Sequence, residues 1–137
     1  MDGITMRLPG LLFAGPDERE ITTLGDEAKV RQVPEDLVVL LRVVSGAEQG
    51  RGYQIRETPL TIGRDKICTI SVNDTRMSRQ HAALYYLAPD FFLKDLASTN
   101  GVMVNGRKVK QAKLNSGDKV SMGSTVFEFI VSKLGAK

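Results

Sequence analysis

The chain has 137 residues, 42% apolar and 26% charged, with a formal charge of +3, enough for one globular domain around a single packed core. No stretch approaches the roughly 18 to 20 apolar residues of a membrane helix, and the apolar run 11–14 is too short for a secretory signal, so a soluble cytoplasmic protein is expected. A single cysteine, Cys68, excludes an internal disulfide, and with a single histidine, His81, no Cys/His zinc cluster can form; neither metal nor cofactor is implied.

Residues 1–36 lack sustained period-2 or period-3.6 hydrophobicity and contain Pro9, Pro16 and Pro34 beside the acidic pairs Asp17-Glu18 and Asp26-Glu27. An acidic, disordered tail is expected there. The charge divides accordingly: residues 1–37 hold four basic and eight acidic side chains (net −4), residues 38–137 fifteen and eight (net +7). Such a division suits a basic domain whose ligand is either nucleic acid or acidic peptide.

From Leu37 to Lys137 the texture is that of an all-β domain, with short β-branched runs broken by Gly, Asn, Asp and Pro every eight to twelve residues. Strands are expected over 37–44, 52–56, 60–63 and 69–72, the last ending at the turn pair Asn73-Asp74. Runs 81–87 and 91–96 flank Ala88-Pro89-Asp90, the length of a three-residue hairpin loop. Run 102–104 meets Asn105-Gly106, which supplies the two positive φ angles of a type I′ turn, so 107–110 is expected to return antiparallel. Runs 119–122 and 125–131 follow the turn 115–118, and Phe127 and Phe129 share one face of the last strand.

Three loop segments carry clustered polar groups: Gly63-Arg64, Ser78-Arg79-Gln80-His81 and Ser98-Thr99-Asn100-Gly101. In order and spacing they resemble the pattern of the forkhead-associated (FHA) family, and the resemblance covers about residues 38–132. It implies a β-sandwich of two antiparallel sheets with about 11 strands, and a module that binds phosphothreonine-containing proteins rather than an enzyme. Phosphothreonine brings about −1.5 to −2 charges and three acceptor oxygens, so a receptor needs fixed donors. Arg64 offers a planar charged fork and Ser78 a hydroxyl. The resemblance further implies that Arg79 contributes to another phosphate oxygen, that Thr99 lies against the phosphate and methyl, and that Asn100 holds the peptide backbone. Arg76 occupies a position from which family members often contact the third residue after the phosphothreonine, where it would favour an acid; a solvated loop arginine is the plain alternative. The same resemblance implies that His81 stays inside the fold and braces the loops, and Gly63 and Gly101 are expected to serve backbone geometry at strand ends.

The tail holds two candidate phosphorylation sites, Thr22 and Thr23, and counting three onward from Thr23 reaches Asp26. This arrangement resembles small bacterial FHA regulators in which a serine/threonine protein kinase modifies an N-terminal threonine pair and the tail folds onto its own domain. Here Ile21 separates Glu20 from the pair, a departure from their Glu-Thr-Thr context. Two rivals stand against phosphopeptide binding. A hydrolase built on Ser78 and His81 lacks a G-x-S-x-G elbow. A nucleic-acid-binding or constitutive scaffold domain would use Lys108, Lys110, Lys113 and Lys119, but there is no tryptophan and only 6% aromatic residues to stack on bases.

Overall fold

Alternating β-branched segments bounded by turn residues become strands throughout the domain. The computed structural model describes residues 29–134, and thirteen strands and no helix occur among them. In chain order they are β1 (Arg31–Gln32), β2 (Leu37–Ser45), β3 (Gly52–Gln54), β4 (Glu57–Thr58), β5 (Leu60–Gly63), β6 (Ile70–Ser71) and β7 (Ala82–Leu87). Then follow β8 (Asp90–Asp95), β9 (Val102–Val104), β10 (Arg107–Val109), β11 (Gln111–Leu114), β12 (Lys119–Met122) and β13 (Thr125–Lys133). Thr22 and Thr23, with the rest of the expected tail up to residue 28, lie outside the described residues.

The two expected sheets are present, one of six strands in the order β10-β9-β12-β13-β2-β3 and one of five in the order β11-β8-β7-β5-β6. Their inner faces meet in one core. Val39, Leu41, Val43, Phe127 and Phe129 come from the first sheet, and Leu60, Ile62, Leu84, Phe91 and Leu93 from the second. Phe91 meets Phe129 edge to face across the layers, ring centroids 5.4 Å apart. Burying Phe127 and Phe129 on alternate positions of β13 is what the period-2 pattern requires.

Four details differ from the sequence expectation. Pairing begins upstream of Leu37: Arg31 and Gln32 oppose Thr58 and Glu57 in a separate two-stranded sheet, and Val33 enters the core. A two-residue strand flanked by Pro34 carries no periodicity to reveal it. The β5–β6 ladder is parallel, not antiparallel, and only two residue pairs long, because the intervening loop carries the chain back along the same direction. The β7–β8 connection is two residues, since Leu87 and Asp90 already pair. Finally, residues 111–114, to which the sequence reading assigns no strand, form edge strand β11 against β8, moving the chain from one sheet to the other just after β10.

The register decides where the loops emerge. Ile62 pairs with Ala82 and Ala82 with Asp95, so the C-terminal ends of β5 and β8 and the start of β7 lie in one row. The segments 64–69, 72–81 and 96–101 therefore leave the same end of the sandwich.

At that end the two sheets are fastened by a buried carboxylate. Asp74, 7% exposed, accepts from the Thr125 hydroxyl (2.7 Å) and the Ser124 N–H (2.8 Å) on one oxygen and from the Arg76 N–H (2.9 Å) on the other. Gly123 makes this approach possible: a Cβ there would sit 2.8 Å from Met77 N and 2.9 Å from the Asp74 carboxylate. From another side, Glu48 in the β2–β3 turn accepts the Asn73 N–H at 2.9 Å.

Burial pushes the Asp74 carboxyl up, but the bonds from Thr125, Arg76 and Ser124 and the Arg76 charge outweigh it and hold the group below its ordinary value. A carboxyl that titrates lower in the folded than in the unfolded chain, where it titrates near about 3.9, stabilises fully at neutral pH and loses that contribution as pH falls through the folded value. Asp74→Asn is expected to cost about 1.5 to 3 kcal/mol at pH 7. In urea denaturation the gap between wild type and variant should narrow steadily below about pH 4; a gap independent of pH would contradict the ionised-anchor role.

Candidate functional site

The three loops singled out in the sequence are knitted together by hydrogen bonds around His81. Its ring is fully buried. The Ser78 N–H donates to Nδ1 at 2.9 Å, so the ring proton sits on Nε2, which donates to the Gly101 carbonyl at 2.8 Å. One ring thus bridges the loop before β7 to the loop before β9. Its backbone is fixed as well, with the His81 N–H on the Ile62 carbonyl (2.8 Å) and the Leu96 N–H on the His81 carbonyl (2.9 Å). Both ring nitrogens are thus engaged by backbone groups, and neither is hydrogen-bonded to the Ser78 hydroxyl as a serine-histidine nucleophile pair would require.

Ser78 is set on three sides. Its carbonyl takes the Arg64 N–H at 3.0 Å, its N–H goes to His81, and its Oγ accepts the Thr99 N–H at 3.0 Å. Because Oγ accepts from Thr99, its own O–H is left to donate outward. Arg64, exposed, is tethered by Nε to the Met77 carbonyl at 3.1 Å, which aims the guanidinium while leaving both Nη groups for a ligand. Ser78, Thr99 and Arg64 therefore converge. Asn100 lies one step along, its Nδ2 donating to the Arg76 carbonyl at 2.7 Å, with Oδ1 outside that bond.

Arg79 enters through its backbone. Its carbonyl accepts the Asp65 N–H and the Cys68 thiol, each at 3.1 Å, while its side chain is exposed beside Arg76 and Lys66 in the same loops. Burial pushes the Cys68 thiol up, which keeps it a proton donor for this contact. This carbonyl explains Gly63: a Cβ there would overlap the Arg79 oxygen and lie 2.8 Å from its carbon and 2.9 Å from Cys68 Sγ. Close approach is the requirement at Gly63. At Gly101 it is dihedral, with φ at 82°. Ala97 is also left-handed, φ 57°, and the turn between them is held by Ser98, whose N–H reaches Asp95 Oδ1 (3.1 Å) and whose Oγ accepts the Gly101 N–H (3.0 Å).

All nine described residues named from the sequence, Gly63, Arg64, Arg76, Ser78, Arg79, His81, Thr99, Asn100 and Gly101, thus fall on one end of the sandwich. Residues missed are those that hold the loops from behind: Asp74, Gly123, Glu48 and the Met77 carbonyl. The Asn73-Asp74 pair signalled a turn, and nothing local shows that its carboxylate reaches residues 124 and 125.

The arrangement offers a permanent cation, a hydroxyl and further exposed arginines within one loop cluster, a donor set whose chemistry suits a tetrahedral anion. A family model described as the FHA domain matches residues 60–123. The FHA domain-containing proteins FhaA and FhaB of Mycobacterium tuberculosis are 38% identical over 74 residues and 34% identical over 89. These matches take up 54% and 64% of this chain but 14% of FhaA and 57% of FhaB, so the chain spans a small part of the first and about half of the second. A structure solved in a study of phosphothreonine-dependent FHA domain interactions is 33% identical with a TM-score of 0.66, over 71% of this chain and 99% of its own. With the strand order, the three loops and these likenesses in agreement, the chain belongs to the FHA domain family.

Proposed function

We propose that the domain binds phosphothreonine peptides, with Arg64 and Ser78 taking phosphate oxygens and Thr99 and Asn100 on the facing loop contacting the phosphothreonine and its backbone. The observation that carries this reading is the bonded set of Arg64 Nε on the Met77 carbonyl, the Ser78 N–H on His81 and the Thr99 N–H on Ser78 Oγ, which holds these three donor-bearing residues in one place. Arg76 and Arg79, exposed in the same loop, add positive field, with Arg76 the candidate for an acidic residue three positions on. The role is recognition in serine/threonine kinase signalling in the cytoplasm, without catalysis.

The acidic tail is the second part of the proposal. From Thr23 to Arg31, where β1 begins, is eight residues, a reach of roughly 26 to 29 Å when extended, about twice the radius of gyration of about 13 Å for a domain of this size. Tethering raises the effective concentration of a phosphorylated tail to about the millimolar range. Phosphorylation at Thr23, with Asp26 at the third position, then makes the tail a competitor for the site.

Two measurements test these readings. In calorimetry, Arg64→Ala is expected to lose about 2 to 5 kcal/mol of phosphothreonine-peptide affinity, and Arg64→Lys to recover only part of it; near-normal affinity in the alanine variant, with the fold intact by circular dichroism, would remove the site. For the tail, kinase-treated protein should bind an added phosphopeptide more weakly than untreated protein, and the Thr22→Ala/Thr23→Ala double variant should not. Equal binding by treated and untreated wild type, with Thr23 shown modified by mass spectrometry, contradicts the tail proposal.

A further inference from the structure

The lysines of the later strands look like an ordinary solvated face in the sequence, but one of them is placed at the site. Lys108 pairs with Met103 in the β9–β10 hairpin, and its side chain runs back along β9 to lie across Gly101. A Cβ at Gly101 would sit 2.7 Å from Lys108 Cε and 3.4 Å from Nζ, so the aliphatic stem occupies the space a side chain would take and the ammonium stands beside the loop that carries Thr99 and Asn100. Gly101 is needed for its left-handed φ of 82°, and the open space beside it is taken by the flexible end of Lys108.

The hairpin that carries Lys108 is rigid. Its turn has Asn105 at φ 52° and Gly106 at φ 82°, and Asn105 is clamped by Nδ2 on Asp118 (3.0 Å) and by Oδ1 accepting the Lys119 N–H (2.9 Å). Lys108 has no carboxylate partner among the described residues, whereas Lys113, Lys133, Arg42 and Arg51 each have one. Lys108 is exposed, and a cation whose stem lies along backbone loses less entropy on meeting an anion than one whose stem is free in solvent.

We infer that Lys108 is a specificity-determining residue that selects an acidic side chain on the peptide flank passing over the Gly101 end of the site. The inference rests on the phosphothreonine reading. Asn100 lies between the two selectors, its side chain bonded to the Arg76 carbonyl on one side and its chain neighbour Gly101 covered by Lys108 on the other. Lys108 thus reads a ligand position distinct from the one assigned to Arg76.

The test uses the full chain and a phosphothreonine peptide with neutral flanks, in which a single aspartate is moved through each flanking position and affinity is read by fluorescence anisotropy at low and high salt. Wild type should gain about three- to fivefold from aspartate at a position where Lys108→Met gains nothing, with the gain shrinking in high salt. The methionine keeps an unbranched stem over Gly101, so each protein's gain from aspartate is read relative to its own affinity for the neutral peptide. Lys108→Glu should prefer lysine at that same position. Identical positional preferences in wild type and Lys108→Met overturn the inference while leaving the phosphothreonine site standing. Failure of wild type to bind the neutral phosphothreonine peptide in preference to its unphosphorylated form overturns the phosphothreonine reading and this inference with it.

Discussion

The imidazole of His81 is the constraint on which the recognition end depends. A polar ring with no exposed surface is costly in an apolar core unless each nitrogen has a partner. Here the partners are the Ser78 N–H and the Gly101 carbonyl, one from each of two loops separated by a strand pair. Satisfying the ring therefore fixes the distance between the loops. Once it is fixed, Ser78 Oγ meets the Thr99 N–H, Gly101 must adopt its left-handed dihedral, and the backbone beside β5 must pass so near Arg79 that only glycine fits at residue 63.

Fixed loops matter because binding an extended phosphopeptide already costs the ordering of the ligand, and a receptor that also had to order its own loops would bind more weakly. The sandwich removes that second cost. Asp74 ties the 73–80 loop to the β12–β13 turn, Glu48 ties it to the β2–β3 turn, and Arg64 Nε ties the key guanidinium to Met77. Around these anchored groups stand the exposed charges of Lys66, Arg76 and Arg79. In the proposed binding mode the exposed cations supply long-range attraction and selectivity, whereas the tethered Arg64 and Ser78 set the geometry.

Much of this was legible from the residues because local chemistry determined it. The Asn105-Gly106 turn has the two positive φ angles its dipeptide implies, and the alternation of Phe127 and Phe129 against Val126 and Glu128 places the aromatics inward. The loop residues were recognisable as a set in the right order. What escaped depends on partners distant in sequence. Residues 111–114 bury only Leu114 and become a strand through pairing with β8, and the two-residue β1 exists through β4. Asp74 has the composition of a turn residue whether its carboxylate caps its own loop or reaches Thr125. Lys108 looks like any surface lysine until hairpin register lays it over Gly101.

The measurement closest to the centre of this account leaves every proposed ligand-contacting side chain intact and changes only the brace. In His81→Leu the side-chain volume is nearly kept and both hydrogen bonds are lost, leaving the Ser78 N–H and the Gly101 carbonyl without their partner. Amide hydrogen exchange and phosphothreonine-peptide titration on the same sample should show protection retained in β7, β12 and β13, protection lost at Ser78 and Thr99, and affinity reduced about tenfold or more. Wild-type affinity in a variant whose loop amides exchange freely would contradict the claim that the buried histidine makes the site.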